Sequence, residues 1–385
     1  MHQILTYPGD LISWSSRMHK IYGDIYEVYI ARERCIWVCR GDLCEAIYNS
    51  PNKFLLRTTP NNGLDEIGVS KIGLSFNRNW ELWKYFRGIV TKSLTKQKFL
   101  KDSLEYIQVF WEEMEGYLNE IENLDDDNKK ILDFSKWIAC SSTDLTFFLT
   151  TRQNVHSLIN YYSTLNQNFL QNTPKSILES PEDFIENITF YLESWLFFAF
   201  TPKFIRMLPS FKKRVKFYYE RRTSLRKDIQ KIIQKRREEI DNVNAEENDK
   251  IKNQDNDDEL SSDLLTAILT MNTNRNIKSV EDNENNMYNK HMTDDEITGL
   301  LLDVVAGGVE TVMLKIYQVA CYCEWNKRML NELDQTFGSG SDYKIELDAV
   351  NQLKYCEAII KEVQMFRLVS KSEIFEIDET LEINL

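Results

Sequence analysis

Residues 293–311 read TDDEITGLLLDVVAGGVET, and this stretch decides the fold. Thr293 and Glu296 have the spacing of a capping box, in which each side chain accepts a bond from the other residue's backbone N–H, so a helix is predicted to begin here. The apolar residues at positions 297, 300–302, 304 and 305 predict that this helix is buried. The sequence therefore predicts one long internal helix from this point.

Two consecutive glycines, Gly307 and Gly308, lie inside this predicted helix. Each costs about 1 kcal/mol of helix stability relative to alanine, so the sequence needs a reason to keep them. One reason is that glycine lets a flat or bulky group approach the backbone. The alternative is close packing against another helix, with Thr311 bonding back to a carbonyl and Glu310 facing solvent. A buried carboxylate and hydroxyl are costly unless they are bonded or used.

Composition favours a mainly helical protein. The chain has 385 residues, of which 42% are apolar, enough for a large core in one large or two ordinary domains. It has seven prolines and thirteen glycines, which are few turn formers for this length. Helices are predicted within residues 79–117, 131–240, 312–336 and 352–367, with breaks at Pro174, Pro181, Pro202 and Pro209.

A small β-rich portion is predicted near the N-terminus. The β-prone runs 25–30 and 35–39 flank a polar break, which is the pattern of a hairpin. Asp42, three residues before Glu45, is interpreted as the N-cap of a short helix. Apolar and acidic residues alternate in residues 374–385, which predicts a further strand there.

Charge is distributed unevenly along the chain, whose net charge is −13. Residues 203–237 hold fourteen Lys and Arg against two acids, whereas residues 238–263 hold eleven acids against two lysines. Basic stretches can bind anionic phosphate, yet on a helix they more often form a solvated face, and we expect no nucleic-acid partner. Residues 241–291, rich in Asn, Asp and Glu, are predicted to form mostly disordered loops with a short helix at 260–271.

Cysteine and histidine do not form a metal-binding pattern. The four histidines are scattered, and the seven cysteines lack zinc or redox spacing, so we expect reduced thiols in a cytosol-facing compartment. The chain contains no run of eighteen apolar residues, and we expect no membrane anchor within it.

The glycine-containing stretch resembles a known family. The letters GGVET at 307–311 match the [AG]-G-x-[DE]-T signature of the long distal helix in cytochromes P450, the haem-thiolate monooxygenases. The resemblance implies a cytochrome P450-like helical fold, with residues 1–385 as a single incomplete domain. It implies that Ala306, Gly307 and Gly308 line the distal face of haem b. It also implies that Glu310 and Thr311 are catalytic residues that deliver protons for oxygen activation.

Two further motifs are similar to the same family. The letters WKYFR at 83–87 fit its W-x-x-x-R helix, which implies that Trp83 and Arg87 bind a haem propionate, and a guanidinium offers two parallel donors to a carboxylate. The letters LKYCEAIIKE at 353–362 resemble the lead into its E-x-x-R helix, where Glu362 would be the structural acid. The arginine position is Met365, and Arg367 would lie about 200° further round the helix. The family's ion pair therefore has no obvious counterpart in this sequence.

The family's cysteine loop, F-x-x-G-x-R-x-C-x-G, does not occur in these residues, and no cysteine follows Cys356. Without the thiolate there is no electron push to cleave the O–O bond. We therefore expect the chain as written to be an inactive, C-terminally truncated fragment that contains no axial metal ligand.

The resemblance also implies partners for the complete protein. A reductase would supply electrons from NADPH, and one atom of O₂ would enter a small lipophilic substrate at the cytosolic side of the endoplasmic reticulum membrane. Residues 195–217 place aromatic and basic residues side by side, which suits contact with a membrane surface. An ordinary buried helix end is the alternative for that region.

Two other functions remain open at this point. One is a non-catalytic helical binding protein of the same ancestry. The other is an unrelated helical scaffold whose basic segment, residues 203–237, binds nucleic acid with a steep salt dependence.

Overall fold

The structure is a computed structural model, and it describes the backbone of residues 11–30, 33–49, 63–123, 132–166, 174–250, 263–271, 292–321, 323–338 and 345–366. These residues form a mainly helical fold with one small sheet near the N-terminus, which confirms the predicted fold class. The predicted strand at 374–385 lies outside the described residues.

The sheet belongs to a small N-terminal unit. This unit comprises α1 (Leu11–Tyr22), β1 (Ile25–Ile30), β2 (Glu33–Val38) and α2 (Gly41–Tyr48). The two strands pair antiparallel, with Tyr26 opposite Trp37, and this confirms the predicted hairpin. One face of the hairpin packs on α1, because Tyr26 is buried together with Trp14 and Met18.

The predicted N-cap of α2 was wrong by two residues. The helix begins at Gly41 and Arg40 occupies the N-cap position, so Asp42 lies in the first turn. The Nε atom of Arg40 donates to Oδ1 of Asp42 at 2.6 Å, and this bond lowers the pKa of the Asp42 carboxyl. The carboxylate therefore bonds a side chain instead of capping the helix.

Thirteen further helices follow among the described residues. They are α3 (Gly63–Glu66), α4 (Trp80–Leu94), α5 (Gln97–Glu122), α6 (Phe134–Thr151), α7 (Ser157–Leu165), α8 (Pro181–Phe200), α9 (Lys203–Arg206), α10 (Pro209–Lys250), α11 (Leu264–Met271), α12 (Asp294–Cys321), α13 (Cys323–Phe337), α14 (Leu347–Val350) and α15 (Lys354–Phe366). Prolines mark the predicted breaks, since Pro181 and Pro209 open helices and Pro202 caps one.

Two helix boundaries differ from the prediction. The internal helix α12 continues to Cys321, so the helix predicted for 312–336 is in fact the end of α12 followed by α13. No proline or glycine follows Gly308 before Cys321, and nothing in the sequence stops the helix there. Helix α10 extends to Lys250, ten residues into the segment predicted to be loops, because Glu, Lys and Ala favour helix.

Helix α12 lies in the core, as predicted. Its capping box is formed: the Thr293 N–H donates to Oε2 of Glu296 at 2.7 Å, and the Glu296 N–H donates to Oγ1 of Thr293 at 3.2 Å. The next turns are buried, with Ile297, Leu300 and Val305 inaccessible to solvent. The helix packs against α6 and also contacts α10, α13 and α15. Neighbouring helices therefore cover most of the described part of α12.

Candidate functional site

The two glycines of α12 have different surroundings. A Cβ atom built on Gly308 would lie 2.6 Å from Cγ2 of Thr146, too close for two carbon atoms. The next residue is also held by α6, because the Ser142 hydroxyl donates to the carbonyl of Val309 at 2.7 Å. Glycine is therefore required at position 308, where α6 and α12 cross. This agrees with the alternative in which the glycines allow close packing against another helix.

Gly307 faces open space. A Cβ atom at this position would meet none of the described residues within 4 Å, and Gly307 is exposed. Thr311 lies four residues further and is also exposed, while Glu310 is half-buried. Residues three and four apart are neighbours on a helix surface, so these three residues share one face. The structure therefore places a carboxylate and a hydroxyl beside an uncovered stretch of backbone. Ala306, by contrast, is fully buried in the core.

One important residue was missed by the sequence analysis. Asp303 is buried, and its Oδ2 accepts bonds from the backbone N–H groups of Leu74 at 2.8 Å and Ser75 at 2.9 Å. The hydroxyl of Tyr191 donates to Oδ1 at 3.3 Å. Burial raises the pKa of the Asp303 carboxyl. A single acid within the apolar run at 300–306 was the signal that could have revealed this anchor.

The loop before α4 lies directly on α12. A Cβ atom on Gly73, whose φ is +85°, would collide with the Asp303 carboxylate. One on Gly299 would come within 2.8 Å of Cδ1 of Ile72. Positions 299, 303, 307 and 311 follow each other at four-residue steps, each about 6 Å along the helix. The loop covers the first two of these positions, and it therefore borders the open face at Gly307 and Thr311.

Trp83 and Arg87 lie one turn apart on α4. The indole N–H of Trp83 donates to the carbonyl of Leu74 at 3.0 Å, so its one donor bonds the loop that covers Asp303. Arg87 is exposed, and its guanidinium carbon lies 5.9 Å from the centre of the Trp83 ring. No ion pair of Arg87 with another described residue is present. Trp83 therefore holds the loop, whereas the guanidinium of Arg87 stays accessible.

The structure describes only part of the predicted E-x-x-R region. Glu362 and Met365 belong to α15, but their side chains lie outside the described part of the structure, as does all of Arg367. Among the described residues, no three His, Cys, Asp or Glu side chains come together to hold a metal ion. No described helix combines the length and the hydropathy that crossing a membrane requires.

These observations describe a helical protein whose long internal helix exposes Gly307 on one face, next to an acid and a hydroxyl. The family model described as Cytochrome P450 matches residues 2–375 of the chain. The chain therefore belongs to the cytochrome P450 family, whose members are haem-containing monooxygenases. This confirms the resemblance, and it excludes the interpretation as an unrelated helical scaffold.

Proposed function

We propose that this protein acts as a haem-dependent monooxygenase on a small lipophilic substrate. The observation that carries the proposal is the open face of α12 at Gly307, on a helix that is otherwise largely buried. A flat group fits against a helix where a side chain is missing. Haem b, when bound, would supply the activation of O₂, with electrons that a reductase passes on from NADPH. Ala306 and Gly308 lie on the packed side of α12. Their close packing holds the helix in place beside the open face.

Glu310 and Thr311 are the residues that we assign to proton delivery. Glu310 is half-buried, so its carboxylate can exchange protons with water at the edge of the site. The Thr311 hydroxyl is exposed on the same face as Gly307, and a hydroxyl can both accept and donate a proton. A proton can therefore pass from solvent through the acid to the hydroxyl and on to the bound reactant.

Arg87 is the residue that we assign to a haem propionate. Its guanidinium is exposed and always charged, and it can present two parallel donors to a carboxylate. Trp83 would support the same group indirectly, since its N–H already bonds the carbonyl of Leu74. We assign to Glu362 the structural role that the resemblance implies for the acid of the family's E-x-x-R helix.

These 385 residues do not supply the cysteine thiolate that binds the haem iron in this family. We propose that a protein of these 385 residues alone does not complete the oxygenase reaction, because no cysteine stands in the family's position. The alternative is a non-catalytic binding protein of the same ancestry. The transcript beyond the codon of Leu385 discriminates between the two: codons for the cysteine loop favour the enzyme, and a stop codon favours the alternative.

The proposal is tested by titrating haemin into the purified chain and following the Soret absorption. We expect saturation at one haem per chain, and roughly tenfold weaker binding for Arg87→Ala, because one charge-assisted bond to a carboxylate is worth about 1.5 to 3 kcal/mol. Lys84→Ala, an exposed cation on the same helix, is the matched control and should bind haemin like the wild type.

Equal haemin affinity in the Arg87 and Lys84 variants would contradict the assignment of the propionate. If the folded chain produces no saturable Soret change at all, then the non-catalytic alternative is favoured. Reduction under carbon monoxide adds a second readout, and the thiolate-type absorption band is expected to be absent in the chain of 385 residues.

We also propose that residues 195–217 contact a membrane surface, in a single domain that acts at the cytosolic side of the endoplasmic reticulum. The aromatic run at 195–200 is largely buried, since Phe197, Phe198 and Ala199 lie in the core. The exposed apolar side chains come next, with Phe204 at 60% and Met207 at 63% exposure beside exposed lysines. This mixture suits a lipid interface.

Co-sedimentation with anionic vesicles tests this contact. The double variant Phe204→Ser with Met207→Ser is expected to lose most of the bound fraction, because two apolar side chains that would enter the lipid are removed. The same two changes at Val109 and Trp111, which are exposed on α5, serve as the control. Unchanged sedimentation of the first variant would count against the contact.

A further inference from the structure

Arg222 of α10 is a partly buried cation that has no anionic partner. Its Nε atom is inaccessible to solvent and forms no hydrogen bond, and the guanidinium forms no ion pair within the described residues. Burial lowers the pKa of this arginine, as expected for a guanidinium withdrawn from water. Protein interiors rarely leave a charged donor unsatisfied, and such a group indicates a bound water, ion or ligand.

The neighbours of Arg222 do not neutralise it. The acid that acts on Arg222 is Asp295, whose Oδ1 already accepts from Arg226 at 2.6 Å, so two cations share one carboxylate. The other groups that act on Arg222 are the positive charge of Arg226 and the hydroxyl groups of Tyr191 and Tyr219. On one side lies Gly68, where a Cβ atom would be 3.4 Å from Nη2. This cluster carries a surplus positive charge.

Trp195 lies in the same neighbourhood. Its buried indole N–H acts on the Tyr191 hydroxyl as a hydrogen-bond donor. The Trp195 ring contacts Tyr191 and Phe76, with ring centres 5.1 Å and 5.3 Å apart. Phe76 belongs to the loop that borders the open face of α12. Aromatic contacts through Tyr191, Trp195 and Phe76 therefore connect the surroundings of Arg222 with the loop that borders the open face.

Tyr191 links this cluster to the candidate site. Its hydroxyl donates to Asp303 at 3.3 Å, and the Arg222 charge acts on the same tyrosine. Asp303 precedes Gly307 by four residues and Thr311 by eight, which is about 6 Å and about 12 Å along the helix axis. Tyr191 therefore contacts the anchor Asp303 and also lies in the surroundings of Arg222.

We propose that Arg222 binds the anionic group of the substrate, a carboxylate, and that the apolar remainder of this substrate lies against Phe76 and Trp195. This inference rests on the proposed monooxygenase function and narrows its substrate class to lipophilic acids. A carboxylate supplies the acceptor that the Nε donor of Arg222 lacks, and a charge-assisted bond to arginine is among the stronger ones in proteins.

Calorimetric titration of the full chain with laurate and with its uncharged methyl ester tests the proposal. We expect saturable binding of laurate that is at least tenfold weaker in Arg222→Met, and binding of the ester that is the same in both proteins. Lys227→Met, an exposed cation on the same helix, is the matched control and should bind laurate like the wild type.

A readout of stability separates this role from a structural one. An unpaired buried charge costs free energy, so Arg222→Met is expected to unfold at the same temperature as the wild type or a higher one when no laurate is present. Laurate should raise the unfolding temperature of the wild type and not that of Arg222→Met.

Three results would overturn the proposal: no laurate binding by the folded wild type, equal laurate affinity in Arg222→Met, or a parallel loss of ester binding. Destabilisation of Arg222→Met without ligand would also overturn it, since it would show a structural partner. The haemin titration is independent of these measurements. Failure of haem binding contradicts the proposed function, whereas failure of laurate binding contradicts only the substrate class.

Discussion

Replacing Gly308 with leucine is expected to lower the free energy of unfolding by about 3 kcal/mol. Even a Cβ atom at this position would lie 2.6 Å from Cγ2 of Thr146, and leucine adds three more carbon atoms at the crossing of α6 and α12. The interface cannot open locally, since the Ser142 hydroxyl bonds the carbonyl of Val309 beside it. Urea denaturation followed by circular dichroism measures the change.

The same substitution at Gly307 is the matched control. Its Cβ atom would meet no residue in the described part of the chain within 4 Å, so Gly307→Leu should leave the fold intact and can stabilise the helix by up to about 1 kcal/mol. The variant should instead weaken haemin binding, because the side chain occupies the bare face. A loss of stability at Gly307 as large as at Gly308 would show that the two glycines are equivalent.

Replacing Asp303 with alanine is expected to lower the free energy of unfolding by about 3 kcal/mol or more. The change leaves four donors without their acceptor: the N–H groups of Leu74 and Ser75 and the hydroxyl groups of Ser75 and Tyr191. Bonds to a charged acceptor are worth about 1.5 to 3 kcal/mol each. The control is Asp295→Ala on the same helix, an exposed acid whose loss should cost within about 1 kcal/mol.

The raised pKa of the Asp303 carboxyl also predicts that the stability of the protein depends on pH. Burial raises its pKa in the native chain, so the native state takes up a proton here more readily than the unfolded state. Between the ordinary aspartate pKa and the raised one, this group's contribution to stability therefore falls as pH rises. Denaturation of the wild type and of Asp303→Asn across this range measures the difference, and parallel pH profiles would contradict the prediction.

Local signals in the sequence were sufficient for much of the fold. The capping box at Thr293 and Glu296 forms as predicted, because it depends on residues three apart. The hairpin also forms where alternating β-prone residues flank a polar break. The prediction of Asp42 as an N-cap was wrong, because two local interactions compete there. Its carboxylate bonds Arg40 instead of the helix end.

The candidate site was predictable only in part. The glycine pair, the acid and the hydroxyl were found from their pattern, and the structure places Gly307, Glu310 and Thr311 on one face. The bond from Trp83 to Leu74 was not predictable, since it depends on how the loop before α4 folds. Arg222 gave no signal among the fourteen basic residues of its segment, because only burial distinguishes it.

Spacing and hydropathy are local properties, and they were enough to predict a capped, apolar helix that is interrupted by two glycines. The tertiary structure assigned a role to each glycine, because Gly308 meets Thr146 of a helix that is distant in sequence, whereas Gly307 meets none of the residues that the structure describes. It also decided that Asp303 fastens a loop more than two hundred residues away. Contacts of this kind depend on how helices cross, and no short stretch of sequence specifies that geometry.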